Sequence, residues 1–295
     1  MTRMTWIAVL GVVIAVLQVF AADAEELTVA KLAVPFAPGE RAFCVTVADE
    51  GRLLAYQSER AGGHGKQDIW LSRLENGRWS EPRNAGPGVN TASQDVDAKL
   101  SPDGRTMVFI RGDNFRESST VFVSNFRNGA WQPAEAIGPP VSVRGTVTFG
   151  AILTADGKRL YFSSNRPGGQ GGFDHYYSDR TARGWSEPVN LGAPVNTAEN
   201  DVDVAVSADG RTLVFPAKRA DSIGGSTDLY VSRWENGAWS EPVNLGPRIN
   251  TPVTDTCPWL GYDGRTLYVN TEWEGVVAGR KAPTSIWLFR SSRGF

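Results

Sequence analysis

The sequence has little net charge, few cysteines and only one long apolar run. Its 295 residues carry 30 Lys and Arg against 32 Asp and Glu, a formal charge of −2. Without a basic excess the chain has no electrostatic field to hold a nucleic-acid backbone, so nucleic-acid binding is not expected. Charged residues at 21% and aromatic residues at 10% exclude a disordered chain.

Sequence signals of helices and of common catalytic sites are also scarce. Little of the chain recurs at helical spacing, whereas 32 glycines and 17 prolines separate short alternating runs. This pattern is typical of many short strands and disfavours a helical bundle or a β-α-β fold. The sequence contains no recognisable nucleophile with a neighbouring base and no cofactor fingerprint. The expected fold class is all-β.

The long apolar run lies at the N-terminus. Arg3 precedes the apolar residues 6–20, and Ala22 and Ala24 give the small-x-small pattern of a signal-peptidase site. The run is short for a membrane span, and no cysteine follows it to carry a lipid. We expect residues 1–24 to be a signal peptide and residues 25–295 to be one periplasmic or secreted domain, monomeric and without a membrane span.

The rest of the chain is a repeat. Asp-Gly-Arg turns or close variants place a glycine, the repeat glycine, at positions 51, 104, 157, 210 and 264, at intervals of 53, 53, 53 and 54 residues. Each unit has an alternating strand before this glycine, a second and a third strand after it, and a turn leading to a fourth. Tandem units of this length with four strands are typical of propeller blades. The sequence predicts a five-bladed β-propeller with four antiparallel strands per blade.

The two ends of the chain complete each other. The fifth unit stops at Phe295 after its third strand, whereas residues 30–50 match the missing piece, because Leu32 precedes Gly51 by the same distance as Leu191 precedes Gly210. We expect the N-terminal segment to supply the outer strand of the last blade. The ring would then have no exposed edge between its termini.

Three segments carry a family resemblance. Residues 101–106 (SPDGRT), 163–174 (SSNRPGGQGGFD) and 236–246 (NGAWSEPVNLG) resemble the WD-like propeller repeat of TolB and of many exported bacterial proteins. The resemblance covers essentially the whole mature chain. It implies a TolB-like propeller with five repeats rather than the six blades and extra domain of TolB itself. Because such repeats serve many proteins, it implies no single function.

One face of the predicted ring carries the variable connections between second and third strands, and we call it the loop face. Variable loops on a rigid scaffold are typical of binding sites. The candidate ligand-binding residues on these loops are Arg60, His64, Arg116, Arg166, Arg219 and Trp273. The expected ligand is a protein, a peptide or a glycan.

Two-residue alternation assigns directions to the side chains of each first strand. Residues eight, six and four before the repeat glycine are almost all apolar and are expected to pack between blades. Residues nine and seven before it are then expected to line a water-filled central channel near its mouth. They include the aspartates Asp95, Asp97, Asp201, Asp203 and Asp255.

These aspartates have more than one interpretation. For Asp95, Asp201 and Asp255 we favour a capping role, in which the carboxylate accepts hydrogen bonds from the incoming loop. Converging carboxylates also suit a hard cation such as Ca²⁺, with Asp97 and Asp203 as possible ligands. Lys99 could instead pair with Asp97.

The two cysteines share one repeat position. Cys44 and Cys257 each stand seven residues before the repeat glycine, in the first and last units, which adjoin where the ring closes. We favour a disulfide that staples this closure in an oxidising compartment. Free buried thiols, or a thiolate-metal site with Asp97 and Asp203, are the alternatives.

The function favoured by the sequence is an exported binding module rather than an enzyme. The alternative is a glycoside hydrolase, because several five-bladed glycosidase families resemble the predicted architecture. Its acid and base would come from Asp95, Asp201 and Asp255, with Glu199 or Glu274 as proton donor. A weaker alternative is a metal-dependent, lactonase-like hydrolase.

Overall fold

The protein is a five-bladed β-propeller. The computed structural model describes residues 27–32, 36, 40–115, 117–224, 227–271, 276–277, 280–281 and 285–295. Five small antiparallel sheets form a ring, as predicted from the repeat. Within the described ranges, no helix is long and apolar enough to cross a membrane.

Blades one to four run from an inner strand at the axis to an outer edge made of two short segments. Blade one contains β2 (Ala42–Ala48), β3 (Leu53–Ser58), β4 (Asp68–Glu75), β5 (Arg78–Trp79) and β6 (Arg83–Asn84). Blade two contains β7 (Gln94–Leu100), β8 (Thr106–Gly112), β9 (Thr120–Arg127), β10 (Ala130–Trp131) and β11 (Glu135–Ile137). Blade three contains β12 (Thr148–Leu153), β13 (Arg159–Ser164), β14 (Asp174–Thr181), β15 (Gly184–Trp185) and β16 (Val189–Asn190). Blade four contains β17 (Ala205–Val206), β18 (Thr212–Ala217), β19 (Asp228–Glu235), β20 (Ala238–Trp239) and β21 (Val243–Asn244).

The fifth blade closes the ring with strands from both ends of the chain. It contains β22 (Asp255–Leu260), β23 (Thr266–Thr271), β26 (Ser285–Ser291) and, as its outer strand, β1 (Leu27–Lys31). A separate hairpin, β24 (Val276–Val277) with β25 (Arg280–Lys281), lies between β23 and β26 in sequence. β1 pairs antiparallel with β26, Leu27 opposite Ser291 and Lys31 opposite Trp287. The predicted closure by the N-terminal segment is confirmed.

Repeated hydrogen bonds fix the base of the loop face. Asp68 begins the third strand of blade one, and its carboxylate accepts the backbone N–H groups of His64 and Gly65 and the side-chain amide of Asn84. Asp174 and Asp228 occupy the same position in blades three and four and accept equivalent bonds. The loops therefore start from a rigid base.

Apolar side chains fill the spaces between neighbouring blades. Between blades one and two, Leu53, Ile69 and Phe109 pack with Trp131, which comes from the hairpin of blade two. Burial of each such side chain contributes about 1.5–3 kcal/mol. In blade five, Phe295 packs against the core shared with blade four. The recurrent tryptophan is a packing residue, as the repeat indicates.

Candidate ligand-binding site at the loop face

The inner strands share a backbone irregularity seven residues before the repeat glycine. Its five residues all have left-handed backbone, with φ of 50°, 54°, 59°, 58° and 45°; they are Cys44, Asp97, Gly150, Asp203 and Cys257. In blades one, two, three and five the ladder register shifts by one residue at this point. We call these five residues the mouth ring. Such a bulge interrupts two-residue alternation, so residues before and after it need not face the same side.

Neighbouring members of the mouth ring contact one another. The N–H of Gly150 donates to Asp97 Oδ2 at 2.7 Å. A Cβ added at Gly150 would lie 3.0 Å from the Cα of Asp203, at a φ of +59°. Glycine is therefore needed at this contact between blades three and four.

Three of the aspartates do not point into a central channel, which corrects the direction expected from strict two-residue alternation. Asp95, Asp201 and Asp255 are fully buried and do not line a water-filled channel. Each accepts the backbone N–H and the hydroxyl of the threonine four residues earlier, which is the capping role favoured above. Burial raises the pKa of Asp201 to about 6. Burial also raises the pKa of Asp95, opposed by a hydrogen bond from Arg111, whose Nε lies 2.6 Å from Oδ1.

Solvent reaches the inner strands from the loop face only as far as the mouth ring. Four of the residues just before the ring remain half-buried: Phe43, Phe149, Val202 and Thr256. Two residues beyond the ring, every inner strand has a side chain with 4% or less of its surface exposed: Thr46, Lys99, Ile152, Ala205 and Trp259. The expected open channel is therefore filled below the ring, and what remains is a shallow mouth.

Asp97 and Asp203 belong to the ring but have different surroundings. Asp97 is 4% exposed, and its Oδ1 lies 2.8 Å from Lys99 Nζ. Asp203 is half-buried, and its Oδ2 accepts the Thr256 hydroxyl at 3.1 Å. Burial and the nearby charge of Asp97 raise the pKa of Asp203 to about 6. In the described part of the chain, no group of three or more His, Cys, Asp or Glu side chains could hold a metal ion, and Lys99 already neutralises Asp97.

The two ring cysteines form a disulfide. Their Cα atoms are 5.0 Å apart, and the bond joins β2 of blade one to β22 of blade five. This is the pairing favoured from the sequence. The disulfide closes the ring next to the axis, whereas the β1 and β26 pairing closes it at the rim.

Three of the arginines proposed for ligand binding are already engaged within the fold. Arg166 donates to the carbonyls of Pro140 and Val141, and Arg219 donates to those of Pro194 and Val195. Their guanidinium groups lie over two aromatic rings each. Arg60 lies 3.3 Å from Glu40 and over the Trp70 ring. These side chains hold neighbouring connections in place, which corrects the expectation that they project toward a ligand.

The other candidate loop residues that the structure describes, His64 and Glu199, are exposed. His64 is exposed, and its backbone N–H donates to Asp68. Arg116, Trp273 and the possible proton donor Glu274 lie outside the described residues. Glu199, the other possible proton donor, is exposed on the loop face.

Sequence reasoning missed an aromatic cluster beside the mouth. The half-buried ring of Phe149 lies 5.6 Å from Phe115 and 5.8 Å from Phe173, measured between centroids. Phe173 stands where blades one, two and four have polar residues, and two of these, Ser119 and Thr227, hydrogen-bond to the adjoining inner strand. An aromatic residue at a polar repeat position was the signal that could have identified it.

The fold is shared with proteins of several kinds. No protein-family model matches the chain, and no curated protein is detectably similar to it in sequence. TolB from Acinetobacter baumannii is 17% identical over 88% of this chain, with a TM-score of 0.55, and a putative TolB from Agrobacterium tumefaciens is 16% identical over 84%, at 0.53. An α-L-arabinofuranosidase from Lactobacillus brevis is 12% identical over 86%, at 0.54.

The lengths of these proteins differ from that of this chain. The chain spans 56% of the Acinetobacter TolB, 78% of the Agrobacterium protein and 93% of the arabinofuranosidase. At such identities the likeness shows the fold alone. This protein is thus a five-bladed propeller with TolB-like structural neighbours.

Proposed function

We propose that the protein is an exported binding module, periplasmic or secreted, that holds a protein, peptide or glycan ligand at the mouth of its loop face. One observation carries the proposal. Phe43, Phe149, Val202 and Thr256 are half-buried just before the mouth ring, whose one half-buried side chain is Asp203, and the next layer of residues is buried. A shallow surface on a rigid base, with both apolar and polar groups, is suited to recognition.

The carboxylates favour binding over glycoside hydrolysis. A glycosidase needs two carboxyl groups that face the scissile bond. Asp95, Asp201 and Asp255 are fully buried and accept hydrogen bonds from their own loops. Asp97 is paired with Lys99, which leaves Asp203 as the half-buried carboxylate of the mouth ring.

The aromatic cluster gives this binding surface its contact area. Phe115, Phe149 and Phe173 come from two loops and one inner strand, and each is half-buried. Aromatic side chains supply large contact areas at low entropic cost and dominate many interfaces. We therefore expect the cluster to contact the ligand next to Asp203.

The experiment is selection of ligands with the labelled wild-type protein on a glycan array and in a random-peptide display library. The double variant Phe149→Ala/Phe173→Ala is then compared with Val243→Ala, which removes a side chain that is 59% exposed on the outer edge of blade four. We expect the selected ligands to bind the double variant at least tenfold more weakly and the control unchanged. Equal binding by all three folded proteins would place the site elsewhere.

A further inference from the structure

We propose that Asp203 binds a cationic group of the ligand, an ammonium or guanidinium carried on an apolar body. This inference rests on the proposed binding function and names the chemistry of its ligand. It starts from the two ring aspartates, which share one repeat position and one backbone conformation. Their difference therefore lies in the side chains around them.

Asp97 has internal partners that Asp203 lacks. Lys99 follows Asp97 by two residues and pairs with it at 2.8 Å, whereas Ala205 holds that position in blade four. Gln57 of the preceding blade accepts the N–H of Asp97 at 2.6 Å. Its counterpart before Asp203 is Ser163, whose hydroxyl is bonded to the buried His175 at 2.9 Å.

The second strand of blade four differs as well. Pro216 stands opposite Leu229 at the position that Ile110 holds in blade two. Proline has no N–H to donate to the adjoining inner strand. The ladder of blade four accordingly begins only at Ala205, whereas that of blade two begins at Gln94. The backbone before Asp203 therefore lacks the strand pairing that the backbone before Asp97 makes.

The charge and the walls of the mouth select a cation over an anion. Asp97, Asp203 and Lys99 together carry a net charge of −1 at neutral pH, and they are the charged groups that act on this carboxylate. Phe149 and Val202 precede Gly150 and Asp203 in the two adjoining strands and are half-buried. An aromatic face beside a carboxylate attracts an ammonium or guanidinium group.

The test uses three small probes of one shape. Benzylamine, benzyl alcohol and benzoate are titrated into the full-length protein at pH 7.5 and pH 5, and binding is followed by NMR. The variants are Asp203→Asn, Phe149→Ala and the control Glu50→Gln, which changes a side chain that is 86% exposed on a first turn. A fourth variant, Ala205→Lys, introduces the internal cation of blade two.

We expect wild type and Glu50→Gln to prefer benzylamine to benzyl alcohol at least tenfold at pH 7.5 and to exclude benzoate. The preference should weaken at pH 5, where protonation removes the charge of Asp203, and should be lost in Asp203→Asn and Ala205→Lys. A preference retained by folded Asp203→Asn would overturn the assignment.

Failure of this inference can be separated from failure of the proposed function. If benzylamine and benzyl alcohol bind equally well and Phe149→Ala weakens both, the mouth binds ligands but Asp203 does not select a cation. If Phe149→Ala leaves both the probes and the selected ligands unaffected, the proposed mouth itself is wrong.

Discussion

The mouth ring has a closed side and an open side. Around Asp97, the polar groups have partners within the protein, a lysine for the carboxylate and a glutamine for the N–H. Around Asp203, the repeat has Ala205 and Ser163 at those positions, and the carboxylate remains half-buried. Asp97 and Asp203 have the same left-handed backbone, which the repeat sets. The different roles of their carboxylates therefore come from the side chains around them.

The two carboxylates are therefore expected to affect the stability of the fold in opposite ways. A buried ion pair adds little net stability, but breaking it leaves a buried charge unpaired. A half-buried carboxylate whose pKa is raised by burial and by Asp97 costs stability at neutral pH and is available to a ligand. Proteins commonly tolerate such a cost at functional sites.

The largest effect is expected from removing the cation on the closed side. Lys99→Met leaves Asp97 buried and unpaired, so we expect the free energy of unfolding in urea at pH 7.5 to fall by about 3–5 kcal/mol. The double variant Asp97→Asn/Lys99→Met removes both charges and should recover most of that loss. A single variant within about 1 kcal/mol of wild type would show that Asp97 is better solvated than its burial indicates.

A somewhat smaller effect on stability is expected from removing the disulfide between blades one and five. Cys44→Ala/Cys257→Ala removes a link between residues 213 apart, and we expect the free energy of unfolding to fall by about 2–4 kcal/mol. Dithiothreitol should destabilise the wild type similarly and leave the variant unaffected. Identical unfolding curves with and without the disulfide would mean that the β1 and β26 pairing suffices to close the ring.

The sequence predicted the blades and their closure but not the left-handed bulge that forms the mouth ring. The interval between repeat glycines and the position of Leu32 were enough for five blades and their closure, because each blade repeats one strand plan. The bulge was missed because the apolar alternation of Val96, Ala98 and Leu100 continues through it. A clue was present, since Gly and Asp are the residues that best tolerate the left-handed backbone found at Gly150 and Asp203.

The arginines show the opposite error, a repeat feature interpreted as a variable one. Arg60, Arg166 and Arg219 each follow the repeat glycine by nine residues, and each lies over aromatic rings of its own blade. Regular spacing was therefore a signal of a structural role. The opening around Asp203 was not predictable, because it depends on what Ser163 contacts in three dimensions.

The smallest effect is expected at Asp203, on the open side of the mouth ring. Here a substitution should raise the free energy of unfolding rather than lower it. The pKa of Asp203 rises from 3.8 to about 6 on folding, so the folded protein binds more protons than the unfolded chain between about pH 4 and pH 6. The charged carboxylate therefore costs stability above pH 6, and this cost disappears as the pH falls below about 4. Asp203→Asn should raise the free energy of unfolding by about 1 kcal/mol at pH 7.5, less than the full pKa shift implies because solvent reaches the group.

Urea unfolding at pH 7.5 and pH 4 measures this difference directly. The gain in Asp203→Asn should mostly disappear at pH 4, which lies well below the pKa of Asp203 in the folded protein and close to its value of 3.8 in the unfolded chain. Asp97→Asn is the matched variant, and it should lose stability at pH 7.5 because Lys99 is left buried without its partner. If the two asparagine variants changed stability in the same direction at pH 7.5, the two sides of the ring would be equivalent and Asp203 would have no cost for a ligand to relieve.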